Sequence, residues 1–108
     1  MEAVPSSTWF KIQQVTIRDT PDFLGCVQGI FVAWELKKGL DGSDVRKGQL
    51  WRLYRVIKAG GWGRLVYPEN FDEELQFLYD LPNIIRNRPP CPTIGEYYES
   101  NGFIITSS

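Results

Sequence analysis

Between Trp51 and Tyr67 the chain interleaves rings with cations: Trp51, Arg52, Tyr54, Arg55, Lys58, Trp62, Arg64 and Tyr67. These residue types join a large contact area to a directional polar group and dominate the energetics of binding surfaces. Read as a strand, Trp51, Leu53, Arg55 and Ile57 share one face and Leu50, Arg52, Tyr54 and Val56 the other. Neither face is purely apolar, so at least one aromatic ring is expected at the surface. Trp62 lies between Gly61 and Gly63 and is expected at a loop tip, either closing one end of the fold or touching a partner. Arg52 and Arg55 have a competing use as ion-pair partners of the acidic run Asp72-Glu73-Glu74.

Catalytic chemistry has less to draw on. The chain has no histidine, which excludes Ser-His-Asp and Cys-His nucleophile systems and every His-ligated metal site. Cys26 and Cys91 are the only cysteines, too few and too far apart in sequence for a thiolate metal centre. Cys26 sits in an apolar run and is expected in the core. Cys91 sits among prolines and is expected to be accessible, and a disulfide between the two stays open. The run Gly60-Gly61-Trp62-Gly63-Arg64 lacks the third glycine of a dinucleotide fingerprint, and Asp41-Gly42-Ser43-Asp44 lacks the length and terminal Glu of a calcium loop. Asp72, Glu73, Glu74 and Asp80 could supply an acid and a base, but no spacing singles out a pair. No catalytic residues, no metal and no cofactor are expected.

Charge is close to balanced, with 12 Lys and Arg against 13 Asp and Glu. It is not evenly spread. From Lys37 to Arg64, eight cations face only Asp41 and Asp44, a net of +6, while both flanks are acidic. Opposite segments either fold against each other and cancel, or leave a basic patch exposed. The start Met1-Glu2-Ala3-Val4-Pro5-Ser6-Ser7 lacks the basic and apolar regions of a signal peptide, and the longest apolar run, Ile30 to Trp34, has five residues against the roughly 20 of a spanning helix. A cytoplasmic protein without membrane contact is expected.

The elements that would position these residues lean toward β. Val, Ile, Phe, Trp and Tyr number 31 against 3 Ala, an inventory suited to pleated, half-buried surfaces. Trp9 to Arg18 is expected as a first strand that changes apolar face at Gln13-Gln14, and Thr20-Pro21-Asp22 as a turn. Cys26 to Leu36 is apolar on both alternating sets and is expected as a central strand, with Gly25 and Gly29 marking bends. Lys37 to Asp44 is expected as an exposed loop. Gln49 to Ile57 is ambiguous, since Leu50, Leu53, Tyr54 and Ile57 follow helical spacing, yet the glycine-rich segment after it favours a hairpin into Arg64-Leu65-Val66-Tyr67. A short helix is expected from Asn70, capped by that residue with Glu73 and stopping before Pro82. Residues 82–93 are expected as a proline-rich strap, and Gly95 to Thr106 as a hairpin turning at Asn101-Gly102.

These expectations combine into one β-rich α+β domain spanning residues 1–108, with a flexible start (1–7) and a frayed end (107–108). Its core is an SH3-like or partly open β-barrel with one short helix and a C-terminal hairpin. Only Val45 to Pro68 carries the likeness to an SH3-like hairpin, which implies a fold and no function. The expected function is a non-catalytic module, a small adaptor, assembly factor or regulator, binding another protein through Trp51, Arg52, Tyr54, Arg55, Lys58, Trp62, Arg64 and Tyr67. The same composition suits a homo-oligomer paired through a sheet edge. The alternative is single-stranded or structured RNA or DNA, tracked by the basic segment and stacked on Trp51, Trp62 and Tyr67.

Overall fold

The chain leaves Lys11 and returns at Pro21 to build three antiparallel strands: β1 (Ser7–Lys11), β2 (Phe23–Val27) and β3 (Ile30–Leu36). The computed structural model describes residues 6–11, 21–38 and 45–102. The expected single strand over Cys26 to Leu36 is two strands, because Gln28 (φ +49°) and Gly29 (φ +85°) both adopt the left-handed conformation that a two-residue hairpin turn demands. The register sets Phe23 opposite Trp34 and Val27 opposite Ile30. Cys26 is exposed rather than in the core, since alternation buries Val27 and turns its neighbour outward. Both thiols are free. The expected reach of the first strand to Arg18, with its face change, lies outside the described residues.

Helix α1 (Lys47–Lys58) then crosses to β4 (Trp62–Val66), which pairs parallel to β3 with Val32 opposite Trp62. This corrects the hairpin expected over residues 49–57. A parallel partner cannot be reached by a tight turn, and the helical spacing of Leu50, Leu53 and Tyr54 is the pattern that buries. Trp62 is accordingly a half-buried strand residue and not a loop tip. Among the described residues the sheet order is β1-β2-β3-β4, the sheet does not close into a barrel, and four helices stand where one was expected. The class is α+β with a mixed sheet.

Alternation along β3 divides the molecule. Val32 and Trp34 face α2 (Phe71–Tyr79) and α3 (Leu81–Asn87), packing with Val27, Val66, Leu78 and Leu81. Ala33 and Glu35 face α1. Helix α2 begins where expected, but Asn70 does not cap it. Its Oδ1 accepts from the Tyr67 amide (2.7 Å) and its amide donates to the Leu65 carbonyl, tying the helix to the end of β4. The expected strap is helical up to Asn87, with Pro82 tolerated in the first turn, and only Arg88 to Thr93 is extended. The expected C-terminal hairpin is helix α4 (Ile94–Ser100), started by a reciprocal cap in which the Glu96 amide donates to Thr93 Oγ1 and the Thr93 amide to Glu96 Oε1. Asn101-Gly102 ends that helix, and residues 103–108 lie outside those described. Among the described residues no helix is long and apolar enough to cross a membrane.

Two contacts on the α2 face carry stability predictions. A Cβ at Gly25 would lie 2.5 Å from the Trp9 ring, which itself packs 5.7 Å from the Trp34 ring. Gly25→Ala therefore costs about 2 kcal/mol in chemical denaturation, by the usual penalty for overpacking. Arg64 Nε donates to both oxygens of Glu74 (2.9 Å each), whose side chain is fully buried. Arg64→Ala strands that carboxylate and lowers stability by about 3 kcal/mol, whereas Glu74→Gln costs less because Arg64 can turn to water. Equal losses from the two variants would show that the pair is not what holds α2 to β4.

Candidate functional site

An otherwise apolar central strand ends in Glu35-Leu36-Lys37, and those two polar side chains, two residues apart, emerge on the same face. Continuing the β2–β3 register one step beyond Phe23 and Trp34 brings Asp22 opposite Glu35. The Leu36 amide donates to Asp22 Oδ2 at 2.9 Å, which fixes that carboxylate at the strand entry. Gln49, the third residue of α1, supplies the fourth group. Its Oε1 accepts from the Arg46 amide (3.1 Å), reaching back over the helix start, and from Lys37 Nζ (2.6 Å). Its amide nitrogen donates to Glu35 Oε1 at 3.0 Å. Asp22, Glu35, Lys37 and Gln49 thus converge where β3 ends and α1 begins.

The electrostatics of this cluster are unusual. The side chains of Glu35 and Lys37 are each only 6% exposed, and Lys37 Nζ stands 3.6 Å from Glu35 Oε1. Glu35 Oε2 is buried with no hydrogen-bond partner among the described residues. Burial, and then the nearby Asp22 carboxylate, push the Glu35 carboxyl up to about 7, with Lys37 and a hydrogen bond from the Asp22 backbone offsetting part of the rise. A structural ion pair would place its ammonium closer and satisfy both oxygens, because a buried charge is stabilised only by good geometry and filled lone pairs. Here one oxygen is left over and a second carboxylate adds like charge.

Oxygen donors from two carboxylates are the complement that Mg²⁺ or Mn²⁺ accepts while retaining water and binding phosphate. Among the described residues no group of three or more His, Cys, Asp and Glu side chains comes together, so no closed metal cage forms. Asp22 and Glu35 are the two carboxylates of the cluster. Lys37 also borders a small groove with Leu36, Val66, Tyr67, Pro68 and Phe71, and its amide donates to the Val66 carbonyl.

None of these four was a candidate in sequence. Asp22 is accounted for there as a turn residue, and Lys37 falls in the loop expected to be exposed, where it is instead buried. One signal was available: a Glu within a strand apolar on both faces, followed two residues later by Lys, is out of place unless something uses it. What links it to Asp22 is the hairpin at Gln28-Gly29, which sequence reading ran through as continuous strand.

The aromatic and cationic residues read from the sequence do not form one surface. Trp51, Arg52, Arg55 and Lys58 stand on the outward side of α1, with Arg52 and Arg55 stacked about the Trp51 ring at 5.2 and 5.0 Å. Tyr54 is turned inward, where its hydroxyl donates to the Pro92 carbonyl (2.7 Å). Trp62 packs edge-on to Phe77 and Arg64 is engaged by Glu74, both on the α2 face. Tyr67 follows β4 beside Lys37. No protein-family model, curated protein or solved structure matches the chain.

The raised Glu35 carboxyl has a consequence for stability. Its folded value lies above its unfolded one of 4.5, so folding disfavours the charged form, and stability present below about pH 4.5 is lost as pH rises toward 7. For the metal-free protein this loss is about 2 kcal/mol after allowing for solvent screening. Glu35→Gln flattens the dependence in denaturation curves measured from pH 4 to 8. An unchanged profile in that variant would show that Glu35 ionises normally.

Proposed function

We propose that the protein is a divalent-metal-dependent hydrolase of phosphodiester bonds in nucleic acid. The observation that carries this reading is the buried Glu35 Oε2, unpartnered beside a second carboxylate and a lysine. Asp22 and Glu35 would hold the ion. When bound, such an ion polarises phosphoryl oxygens and makes water a stronger nucleophile near neutral pH. Lys37 separates this site from one that merely stores metal, since an ammonium beside the ion would only weaken its binding. Beside an anionic phosphate the same group donates to the oxygen on which charge develops. Gln49 is a positioning residue, holding Glu35 with its amide and Lys37 with its carbonyl. In the reaction, water oxygen bonds to phosphorus and the ester bond to one sugar oxygen breaks. One water proton goes to solvent, and the leaving oxygen takes a proton up.

Nucleic acid is favoured over a small phosphodiester by α1, which carries Lys47, Arg52, Arg55 and Lys58 with no acidic residue and whose first turn abuts the site. A second reading, the non-catalytic partner-binding module, is favoured by the exposed Trp51 with its two stacked arginines. In that reading the Glu35 cluster would be structural only.

Labelled DNA and RNA incubated with Mg²⁺ or Mn²⁺ separate the two. Cleavage is expected, abolished by chelation and reduced about 100-fold or more by Asp22→Asn, Glu35→Gln or Lys37→Ala. Gln49→Ala is expected to cost about 10- to 100-fold, as loss of an orienting partner does. No metal-dependent cleavage of any nucleic acid by the unaltered protein would overturn the proposal.

A further inference from the structure

The outward side of α1 is continuous with the site at its first turn and differs from the rest of the surface in composition. Trp51 is 41% exposed, Arg55 and Lys58 are exposed, and Arg52 is half-exposed. Beside them runs a groove of about 480 Å³, with Leu24 and Phe31 of the sheet below and Arg52, Arg55 and Val56 along its wall. Pro21 lines its other side, one residue before Asp22. The groove therefore reaches the residue that precedes Asp22 in the chain. Phe31, 48% exposed, offers a ring within it, and Trp51 offers another beyond the arginine wall.

We propose that this groove and the Trp51, Arg52, Arg55 and Lys58 face of α1 hold a single strand of nucleic acid running from the scissile phosphate. The proposal rests on the hydrolase reading and specifies its substrate as a strand with unpaired bases. Three features select that occupant. The helix carries four cations and no acid, which suits a polyanion. Its cations extend from the site over about 14 Å between Gln49 and Lys58, at 1.5 Å per residue, so phosphate contacts continue away from the carboxylates for a few nucleotides. One exposed ring of the helix, Trp51, lies among those cations and Phe31 lies on the groove floor, and ring faces are usable only by bases that are not paired and stacked in a duplex. A fully base-paired helix would satisfy the arginines while leaving Phe31 and Trp51 without a contact.

The test uses full-length protein carrying Asp22→Asn, free of metal, titrated with oligothymidine and with a duplex of the same length. Oligothymidine is expected to quench tryptophan fluorescence and to bind at least about 10-fold more tightly than the duplex. Trp51→Phe, at an exposed position that tolerates the change, is expected to remove most of the quenching. Replacing Arg52 and Arg55 with Ala is expected to weaken binding at least about 10-fold and to shrink the slope of log affinity against log salt by about 1.4, as loss of two phosphate contacts on a single strand does. Equal quenching after Trp51→Phe, an unchanged salt slope, or preference for the duplex would each overturn the strand path. Cleavage by the unaltered protein together with any of those results would leave the hydrolase standing and this surface wrong. Binding as described without metal-dependent cleavage would leave the strand surface standing and the hydrolase wrong.

Discussion

A carboxylate taken out of water must find donors, cations or a metal, and Glu35 finds too few. Gln49 satisfies one oxygen and Lys37 stands at 3.6 Å, while the other oxygen has no hydrogen-bond partner among the described residues and Asp22 lies across the hairpin. Every element around it bears on that imbalance. The β2–β3 register carries Asp22 to it, the end of β3 carries Lys37, and the reach of Gln49 over the start of α1 joins both to a helix. Such a cluster is unfavourable for folding alone, and arrangements that a fold tolerates against its own stability concentrate at working sites.

The crossover from β3 through α1 to β4 explains why the cluster lies where it does. A parallel strand pair forces the helix to start near the end of one strand and to finish near the beginning of the next. The first turn of α1 is thereby set against Glu35, and its positive end favours an anion there. The opposite face of the sheet carries no part of this cluster. It is filled by Trp34, Val32, Leu78 and Leu81, with Arg64 and Glu74 closing α2 onto β4. Rigidity is supplied on one face and charge on the other.

Part of the element inventory was legible in residues. The start of α2 near Asn70, the central burial of β3 and the helical spacing of Leu50, Leu53 and Tyr54 all show in the chain. Other features turned on competition between local signals. Thr93-x-x-Glu96 is a helix start, but the neighbouring Asn101-Gly102 reads equally as a hairpin, and only packing decides. Gln28-Gly29 folds one apolar run into two strands, and the site is invisible until that turn is placed, because Asp22 and Glu35 become neighbours only through it. Basic residues of mid-chain read either as internally cancelled or as a surface, and the structure divides them: Arg55 and Lys58 are exposed on α1, while Arg64 pairs with Glu74 and Lys37 is buried. Their partner was not legible, since the same side chains suit protein and nucleic acid.

The central claim is that the Glu35 carboxylate is held ready for a divalent ion. Its side-chain carboxyl carbon can be followed by ¹³C NMR across pH, with and without Mg²⁺. A midpoint near 7 is expected in the metal-free protein, moving down when Mg²⁺ is added, with no such fall in Asp22→Asn. A midpoint that Mg²⁺ leaves unmoved would contradict it.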